Sequence, residues 1–533
     1  MDQKHTSQIE NDLDSLKITV QNLSSANAQL TAENAELRRK LERMNELLLL
    51  AQRARFGQSS EKREYVMQGG DQLQLFNEAE ACQNLKEPEP TEETIVSSHT
   101  RKPRRTVDEL TEGLPVEKVV LDIQEDERFC DTCGSPLKRI GEKFVRRELQ
   151  VIPRQVKVLE IYSATYACTE CEKNTGYGYI YTTETPPPLL KHSLASPSTV
   201  ANVMTQKYVD GIPLARQEKI WKRDGIALSR ATMANWVIQC AQTWLKPLYR
   251  HIQKQLGKLT VIHADETVVQ VHREDGKANT SESRMWVYSS GSYCRTPLRF
   301  FEYQPDRSGK HPAALLRDFT GCLVTDGYAG YDKVPKAIRC GCWTHMRRKW
   351  REAMPKGATT ATSKAALGYE YCNKLFALER KVETVAPSQR ISARKAKEEL
   401  LLDAYWEFVE KLDPAAGSKL EEAVTYARNQ KQYLNAFMEH GEVDISNNIA
   451  ENAIRPFVVG RKNWLFCDTP KGADSSAIVY TLVETAKAND VEPFAYLSYV
   501  LDNMRYLSKT PAAAELEAMM PWNPGLRAQL GTI

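Results

Sequence analysis

The stretch KLTVIHADET, residues 258–267, marks the point at which a helical pattern gives way to strands. Its apolar run ends on Asp265, and the next two segments, RMWVYSS and TPLRFFEYQ, have the pattern of strands. A short helical segment then leads to GCLVTDGYAGY, in which a second apolar run ends on Asp326. Three sequential strands, a helix and a further apolar strand predict a mixed α/β sheet.

The two aspartates, Asp265 and Asp326, are expected where core strands end. Open α/β sheets usually place their sites at the carboxyl ends of such strands. Like charges that lie close together repel each other unless a cation lies between them. Two divalent ions about 4 Å apart, held by about three carboxylates, form the arrangement that handles in-line displacement at phosphorus. The pattern therefore indicates a metal site that still needs one carboxylate.

Glu451, within NNIAENAIRP at 447–456, is the candidate for that carboxylate, although a local interpretation competes with this role. In the local interpretation, Asn448 caps a helix, Glu451 completes a capping box, and Arg455 pairs with Glu451 one turn later. Pro456 would kink or end this helix. Only the rest of the chain can decide between the two interpretations.

A Cys-x-x-His motif, Cys342 to His345, stands just before a segment without strand patterns. Residues 347–440 are highly charged and helical in pattern, so we interpret them as an all-helical insertion within the α/β domain. Cys342 and His345 either bind zinc together with Cys340 or pack the start of this insertion.

The N-terminal segment carries a heptad pattern over residues 1–55. The a positions are Leu13, Val20, Asn27, Asn34, Leu41 and Leu48, and the d positions are Ile9, Leu16, Leu23, Leu30, Leu37, Met44 and Ala51. Heptads that stay in register predict a coiled-coil zipper. Because asparagine at an a position needs a counterpart amide across the seam, a parallel homodimer is expected. A single amphipathic helix lying on its own domain is the alternative.

Composition bounds the class of protein. The 533 residues suffice for several domains, and the N-terminus is too polar for a signal peptide, so we expect an intracellular protein without membrane spans. The net charge is only +3, so affinity for a polyanion must come from local patches. One basic cluster in the polar linker 56–112 either touches nucleic acid or is solvated: Arg101, Lys102, Arg104 and Arg105.

Residues 113–190 contain two Cys-x-x-Cys motifs joined by a segment that alternates as β-strands do. The four candidate ligands are Cys130, Cys133, Cys168 and Cys171. Four thiolates provide a closed tetrahedral site for a structural Zn²⁺ ion. Buried or redox-active cysteines are the alternative.

Residues 191–255 read as helices with breaks at Gly211 and Gly225, and the last two have helix-turn-helix proportions. Ser229 is a natural cap for the second of these. Residues 201–254 carry nine Lys or Arg and three acids, a balance that suits phosphate contacts. We predict a DNA-binding domain with these contact residues: Lys222, Arg223, Ser229, Arg230, Thr232 and Asn235. A plain three-helix packing unit is the alternative.

Several motifs occur in a fixed order along the chain. They are RFGQSSEK (55–62), QLFNEAE (74–80), HADET (263–267), DGYAGYD (326–332), CWTHMRRK (342–349), NNIAENAIRPFVVGRKNWLF (447–466) and the tail YTLVETAKANDVEPFAYLSYVL. Together they resemble the DDE transposases of the insertion sequence 66 family over almost the whole chain. DETVV stands where the family more often has DETP, a departure that concerns the local turn and not the acid.

The resemblance implies a multidomain chain: a leucine zipper, a zinc-binding domain, a helix-turn-helix domain and an RNase H-like catalytic core with a helical insertion. It also implies a catalytic triad of Asp265, Asp326 and Glu451, binding two Mg²⁺ or Mn²⁺ ions. Glu266 is a rival carboxylate, but strand alternation turns it to the opposite face from Asp265. The core and the C-terminal helical tail are expected at 256–346, 441–485 and 486–533.

The activity implied is that of a DNA transposase, which binds the ends of its insertion sequence and catalyses metal-dependent cleavage and strand transfer. Its partners would be double-stranded DNA at terminal inverted repeats and targets, a second copy of the chain, and small accessory proteins of the same element, all in the bacterial cytoplasm. Basic residues near the acidic site would hold the DNA backbone: Arg347, Arg348, Arg455, Arg461 and Lys462. Two alternatives use the same scaffold, a DNA-binding regulator with an inert core and a metal-dependent nuclease without strand transfer. A regulator whose core had lost catalytic activity would be expected to lose the three acids.

Overall fold

The structure is a computed structural model, and the chain divides into two compact units, Met1–Gly57 with Glu160–Ile533, and Gln58–Leu159. It describes residues 155–168, residues 179–531 except Lys356 and Lys509, part of the segment 17–44, and isolated positions within 116–144. The helices and strands that follow belong to the first unit. The predicted linker 56–112, with its basic cluster, lies outside the described residues.

The N-terminal segment is helical at residues 19–34 and 36–37, as the heptad pattern predicts. The described apolar heptad side chains are exposed: Val20, Leu23, Leu30, Leu37 and Met44. The single chain therefore leaves the heptad face of this helix open to solvent, and pairing with a second copy stays a prediction. The other apolar heptad positions lie outside the described residues: Ile9, Leu13, Leu16, Leu41, Leu48 and Ala51.

Strands β1 (Thr165–Cys168) and β2 (Tyr179–Thr182) pair antiparallel, with Cys168 opposite Tyr179. They lie in the module for which we predict a zinc site. Of the described part of the segment between the two motifs, only Thr165–Cys168 is a strand, because residues 155–164 are irregular and β2 follows the second motif. The zinc ligands themselves fall outside the description: Cys130, Cys133, Cys171 and the side chain of Cys168.

Helical structure follows in α1 (Pro197–Tyr208), α2 (Leu214–Arg223), α3 (Arg230–Cys240) and, after a π-helical turn, α4 (Lys246–Leu256). The predicted cap of α3 is confirmed, because Ser229 Oγ accepts the N–H of Thr232 at 3.1 Å. The turn between α2 and α3 contains Gly225 at φ +85°, a left-handed conformation that glycine adopts without strain. Both predicted breaks in the helical pattern are therefore present.

A mixed sheet is built from β3 (Val261–Gln270), β4 (Glu282–Ser290), β5 (Arg299–Gln304), β6 (Cys322–Thr325) and β7 (Ile338–Gly341). The strand order is β5-β4-β3-β6-β7. The pairs β3–β4 and β4–β5 are antiparallel, whereas β3–β6 and β6–β7 are parallel. Helix α5 (Lys310–Leu315) lies in the connection that leads to β6. The predicted mixed α/β sheet is confirmed.

After β7 the described chain is helical in α6 (Trp343–Ala353), α7 (Lys364–Val382), α8 (Pro387–Glu410) and α9 (Lys419–Asn435). Arg394 of α8 is fully buried and pairs with the buried carboxylate of Glu379. It also donates to the carbonyl oxygens of Phe437 and Val443, each at 2.7 Å. These bonds fix the point at which the chain leaves the helical segment and returns to the sheet.

The chain ends in helices α10 (Asn448–Trp464), α11 (Pro470–Ala488), α12 (Pro493–Met504), α13 (Ala513–Ala518) and α14 (Pro524–Leu530). One hydrophobic core includes Trp286, Phe301 and Tyr480, while Trp343 and Trp350 belong to a second core with the insertion helices. In the part of the chain that is described, no helix has both the length and the apolar character that crossing a bilayer requires.

Candidate active site

Asp265 lies on β3, and Asp326 directly follows the adjacent parallel strand β6. In the β3–β6 pair, Val261 is opposite Cys322 and His263 is opposite Val324. Continuing this register by two residues brings Asp265 level with Asp326. Neighbouring strands are about 4.8 Å apart, so the two carboxylates share one edge of the site.

The prediction that β3 ends on Asp265 is wrong. β3 continues to Gln270 because its antiparallel partner β4 pairs with it along this length, with Asp265 opposite Val287 and Gln270 opposite Glu282. The parallel partner β6, in contrast, stops at Thr325. Asp265 therefore lies where the parallel part of the sheet ends.

Main-chain donors orient both carboxylates. Asp265 Oδ1 accepts the N–H of Glu266 at 2.9 Å, and Asp326 Oδ1 accepts the N–H of Tyr328 at 2.9 Å. Both aspartates are only half-buried, so a ligand can reach them. The site thus presents two oriented sets of hard oxygen donors.

The negative charge of Glu451 acts on Asp265. Burial, followed by the negative charges of Glu266, Asp326 and Glu451, raises the pKa of Asp265 to about 8. The negative charges of both other predicted catalytic acids, Asp326 and Glu451, therefore act on Asp265. A divalent cation would relieve this repulsion, and carboxylate oxygens are the ligands that Mg²⁺ and Mn²⁺ prefer. The donor set accordingly fits such ions.

The local interpretation of Glu451 is wrong. Helix α10 begins after Asn447 rather than Asn448, and Asn447 makes no side-chain capping bond. Glu451 Oε2 lies 3.7 Å from Arg348, and Oε1 lies 3.7 Å from His345 Nδ1, instead of an ion pair with Arg455. The helix also continues through Pro456 to Trp464, so this proline does not end it.

Asn447 joins the elements that carry the acids. It is fully buried, and its side-chain amide donates to the carbonyl oxygen of Ala264 at 2.8 Å. Its Oδ1 accepts from Nδ1 of buried His263 at 3.2 Å, and its backbone N–H donates to Cys342 Sγ at 3.1 Å. The side-chain amide of Asn447 therefore ties the start of α10 to β3, and its backbone N–H ties it to the start of α6.

Glu266, the rival carboxylate, is held in a different network. Its side chain is 3% exposed and lies 2.6 Å from Arg307. The hydroxyl of Tyr331 donates to it at 2.7 Å. Burial raises the pKa of Glu266, and the bonds from Tyr331 and Arg307 oppose this effect. An acid with these partners is less available to a ligand than Asp265.

The Cys342 motif has an arrangement that sequence reasoning missed. One ligand atom each from Cys342, His345 and Glu451 lie within 4.8 Å of one another. Cys340 lies beside Cys322 of β6 instead, and does not belong to this group. The spacing Cys-x-x-His at a helix start was the available signal, but the third member comes from a distant segment.

The predicted DNA-contact residues differ in accessibility. Those that are exposed are Lys222, Arg223, Ser229, Arg230, Asn235, Arg348, Arg455 and Lys462, and those that are half-buried are Thr232, Arg347 and Arg461. Arg347 points into the insertion, where it donates to the hydroxyl of Tyr369 at 3.1 Å and lies over the ring of Phe376. Arg461 donates to Thr267 Oγ1 at 3.3 Å.

Comparison with protein families gives the chain its class. The family model described as "Transposase IS66 family" matches residues 192–475, more than half of the chain. The chain belongs to this family of transposases. Further matches cover a zinc-finger binding domain of the IS66 transposase at 127–172, the IS66 C-terminal element at 481–522, and "Transposase C of IS166 homeodomain" at 43–119. The resemblance noted in the motifs is confirmed, and the zinc-finger match supports structural zinc.

Two uncharacterized proteins are similar to this chain over most of its length. The uncharacterized protein y4qI of Sinorhizobium fredii is 30% identical over 418 residues, which are 75% of this chain and 75% of that protein. The uncharacterized protein y4hP of the same organism is 27% identical over 467 residues, 81% of each chain. The Drosophila P element transposase strand transfer complex is 14% identical and covers 64% of this chain and 96% of that chain. The TM-score of this match is 0.22.

Proposed function

We propose that this transposase uses Asp265, Asp326 and Glu451 as a DDE triad on an RNase H-like core, and that it cleaves DNA at the ends of its insertion sequence and transfers the freed strand to target DNA. The observation that carries the proposal is the register of β3 and β6, which brings the two aspartates level. The charge of Glu451 acts on Asp265 from the first turns of α10.

The three carboxylates would bind the ions that activate the attacking water and stabilise the leaving oxygen. Mg²⁺ or Mn²⁺ bound by the three carboxylates would supply an activated water and stabilise the charge that develops on the leaving oxygen. Asp265 and Asp326 are already oriented by main-chain N–H groups, so little reorganisation is needed for ion binding. The freed 3′ hydroxyl then acts as the nucleophile in strand transfer, which requires no covalent intermediate with the protein.

Basic side chains would hold the DNA. Arg348, which is 51% exposed, and exposed Arg455 lie on the helices that surround Glu451, where they can contact phosphates beside the scissile bond. In the helix-turn-helix domain, the exposed residues at the end of α2 and along α3 would recognise the terminal repeats: Lys222, Arg223, Arg230 and Asn235. Ser229 and Thr232 are engaged with each other in the cap of α3.

The N-terminal modules would assemble two copies on paired ends. The exposed heptad face of the N-terminal helix supports a parallel zipper, because burial against a second copy would remove these apolar side chains from water. The four cysteines of the zinc-finger region would hold structural Zn²⁺. Small accessory proteins of the same element are further expected partners.

The proposal is tested with labelled element ends, target DNA and Mg²⁺ or Mn²⁺ in vitro. Asp265→Asn, Asp326→Asn and Glu451→Gln should bind ends but neither cleave nor join them, while the exposed control Asp275→Asn keeps both steps. Strand transfer by all three triad variants would overturn the assignment. End binding without cleavage by the wild type would favour a regulator, and cleavage without joining would favour a nuclease.

A further inference from the structure

A cluster of mixed ligands lies where α6 and α10 begin. Cys342 directly precedes α6, His345 lies in the first turn of that helix, and Glu451 lies early in α10. A sulfur, a ring nitrogen and a carboxylate oxygen from these residues all lie within 4.8 Å of one another. This donor set differs from the all-oxygen set of Asp265 and Asp326.

In the described part of the chain, two atoms of the cluster have no hydrogen-bond partner. His345 Nδ1 and Glu451 Oε1 are buried, and neither has a hydrogen-bond partner among the described residues. They lie 3.7 Å apart, which is too far for a hydrogen bond between them. Buried polar atoms normally have a partner, so this pair requires an explanation. A cation between the two atoms would bind both.

The third ligand atom, Cys342 Sγ, accepts a hydrogen bond from the main chain. Cys342 is fully buried, and the backbone N–H of Asn447 donates to its Sγ at 3.1 Å. Burial raises the pKa of the Cys342 thiol to about 11, and the backbone N–H of Asn447 opposes this effect, so metal binding here would release the thiol proton. Support of this kind around a ligand is a regular feature of metal sites in proteins.

We propose that Cys342, His345 and Glu451 bind a transition-metal ion of the zinc class, with a fourth position open to water or to a DNA phosphate. Bonds of about 2.0 to 2.3 Å around a tetrahedral zinc ion place ligand atoms roughly 3.3 to 3.8 Å apart. The 3.7 Å between His345 and Glu451 already matches this spacing. The three ligand atoms lie within 4.8 Å of one another, so the longest of these distances would have to shorten by about 1 Å when an ion binds. A small side-chain rotation is enough for this change.

Access and ligand chemistry define the ion. The side chains of His345 and Glu451 are 23% and 28% exposed, so an ion can enter from solvent and keep an open position. Thiolate and imidazole favour Zn²⁺ or Co²⁺ over Mg²⁺, which prefers oxygen ligands. The site goes beyond the proposed two-metal chemistry but shares Glu451 with it, so zinc content, and not strand transfer, is the property that tests it.

The full-length protein provides the test, with Zn²⁺ and Co²⁺ as probes. Zinc per chain is measured by mass spectrometry after dialysis, and the thiolate-to-Co²⁺ charge-transfer absorbance is recorded on Co²⁺ loading. The wild type should hold about one more zinc per chain than Cys342→Ser or His345→Gln. Cys340→Ser is the matched control, because Cys340 is equally buried but lies outside the cluster, and it should equal the wild type. The four-cysteine module is unchanged in all of these variants.

His345→Gln, at a half-buried position, keeps the test valid if Cys342→Ser folds poorly. Equal zinc content and equal Co²⁺ spectra in the wild type and His345→Gln would overturn the site. Displacement of the Co²⁺ signal by Mg²⁺ would overturn the assignment to the zinc class. Asp265→Asn should retain the full zinc content while losing strand transfer. Strand transfer by Asp265→Asn would therefore count against the triad and leave the zinc proposal intact.

Discussion

The side-chain amide of Asn447 donates to the carbonyl oxygen of Ala264 at 2.8 Å, so the helix that carries Glu451 is tied to the residue directly before Asp265. The same side chain accepts from His263, whose other ring nitrogen lies 3.3 Å from Asp444. The relative position of two predicted catalytic acids thus depends on one buried amide.

Replacing this amide should affect both stability and chemistry. Asn447→Ala leaves the Ala264 oxygen and His263 Nδ1 without their partner, and we expect a loss of about 1 to 3 kcal/mol in the free energy of unfolding. Cleavage of DNA ends should fall by more than end binding does. Asn448→Ala is the control, since Asn448 is exposed and should be close to neutral in urea denaturation. Equal effects of the two variants would contradict the role of Asn447.

Divalent metal should stabilise the catalytic core. At 100 times its dissociation constant, an ion that binds only the folded state adds about 2.7 kcal/mol. Adding Mg²⁺ should therefore raise the thermal midpoint of the wild type and of Asp275→Asn, but not of Asp265→Asn or Asp326→Asn. Calorimetry at matched ionic strength measures this, and a similar rise in Asp265→Asn would exclude Asp265 as a ligand.

The buried ion pair of Arg394 and Glu379 should contribute strongly to the free energy of unfolding. Arg394→Met leaves the Glu379 carboxylate buried and unpaired, which we expect to cost about 3 to 5 kcal/mol. The neighbouring Lys395→Met removes a charge that is 46% exposed and should change stability little. Chemical denaturation of both variants tests this. A small effect of Arg394→Met would mean that water replaces the lost bonds.

Glu302 should make stability depend on pH. Burial, reinforced by the charge of Asp474 and opposed by a bond from Gln304, raises the pKa of Glu302 to about 7. As pH rises from about 4.5 to 7, the unfolded chain ionises this group while the folded protein retains the proton, so stability falls. Glu302→Gln should therefore be more stable than the wild type by about 3 kcal/mol at pH 8 and nearly equal to it near pH 4.5. Urea denaturation at both pH values measures the difference, and an equal gain at both would refute it.

Arg455 and Arg347 should behave differently in DNA binding. Exposed Arg455 is free to contact phosphate, so Arg455→Gln should weaken binding and reduce the salt-dependence slope by about 1. Arg347 packs on Tyr369 and Phe376, so Arg347→Gln should lower the thermal midpoint and leave the slope unchanged. Fluorescence anisotropy over a salt series separates the two effects. A changed slope for Arg347→Gln would place that side chain on DNA.

The mixed sheet and the helix breaks could be predicted from the sequence, because apolar runs and turn residues act over a few neighbouring positions. The same local signals located Asp265 and Asp326 at the ends of apolar runs. They failed at the end of β3, since the antiparallel partner that extends this strand to Gln270 is set by pairing and not by the apolar run.

The neighbours of Glu451 were decided by tertiary structure alone. Its local sequence suggested a cap and an ion pair with Arg455, whereas the folded chain places it beside His345 and Arg348. The whole helical insertion separates these residues in sequence, so no local pattern records their contact. Their meeting depends on packing of the insertion and on Asn447. The residue types at the site are thus written in the sequence, but their grouping is set by long-range contacts that form only when the chain folds.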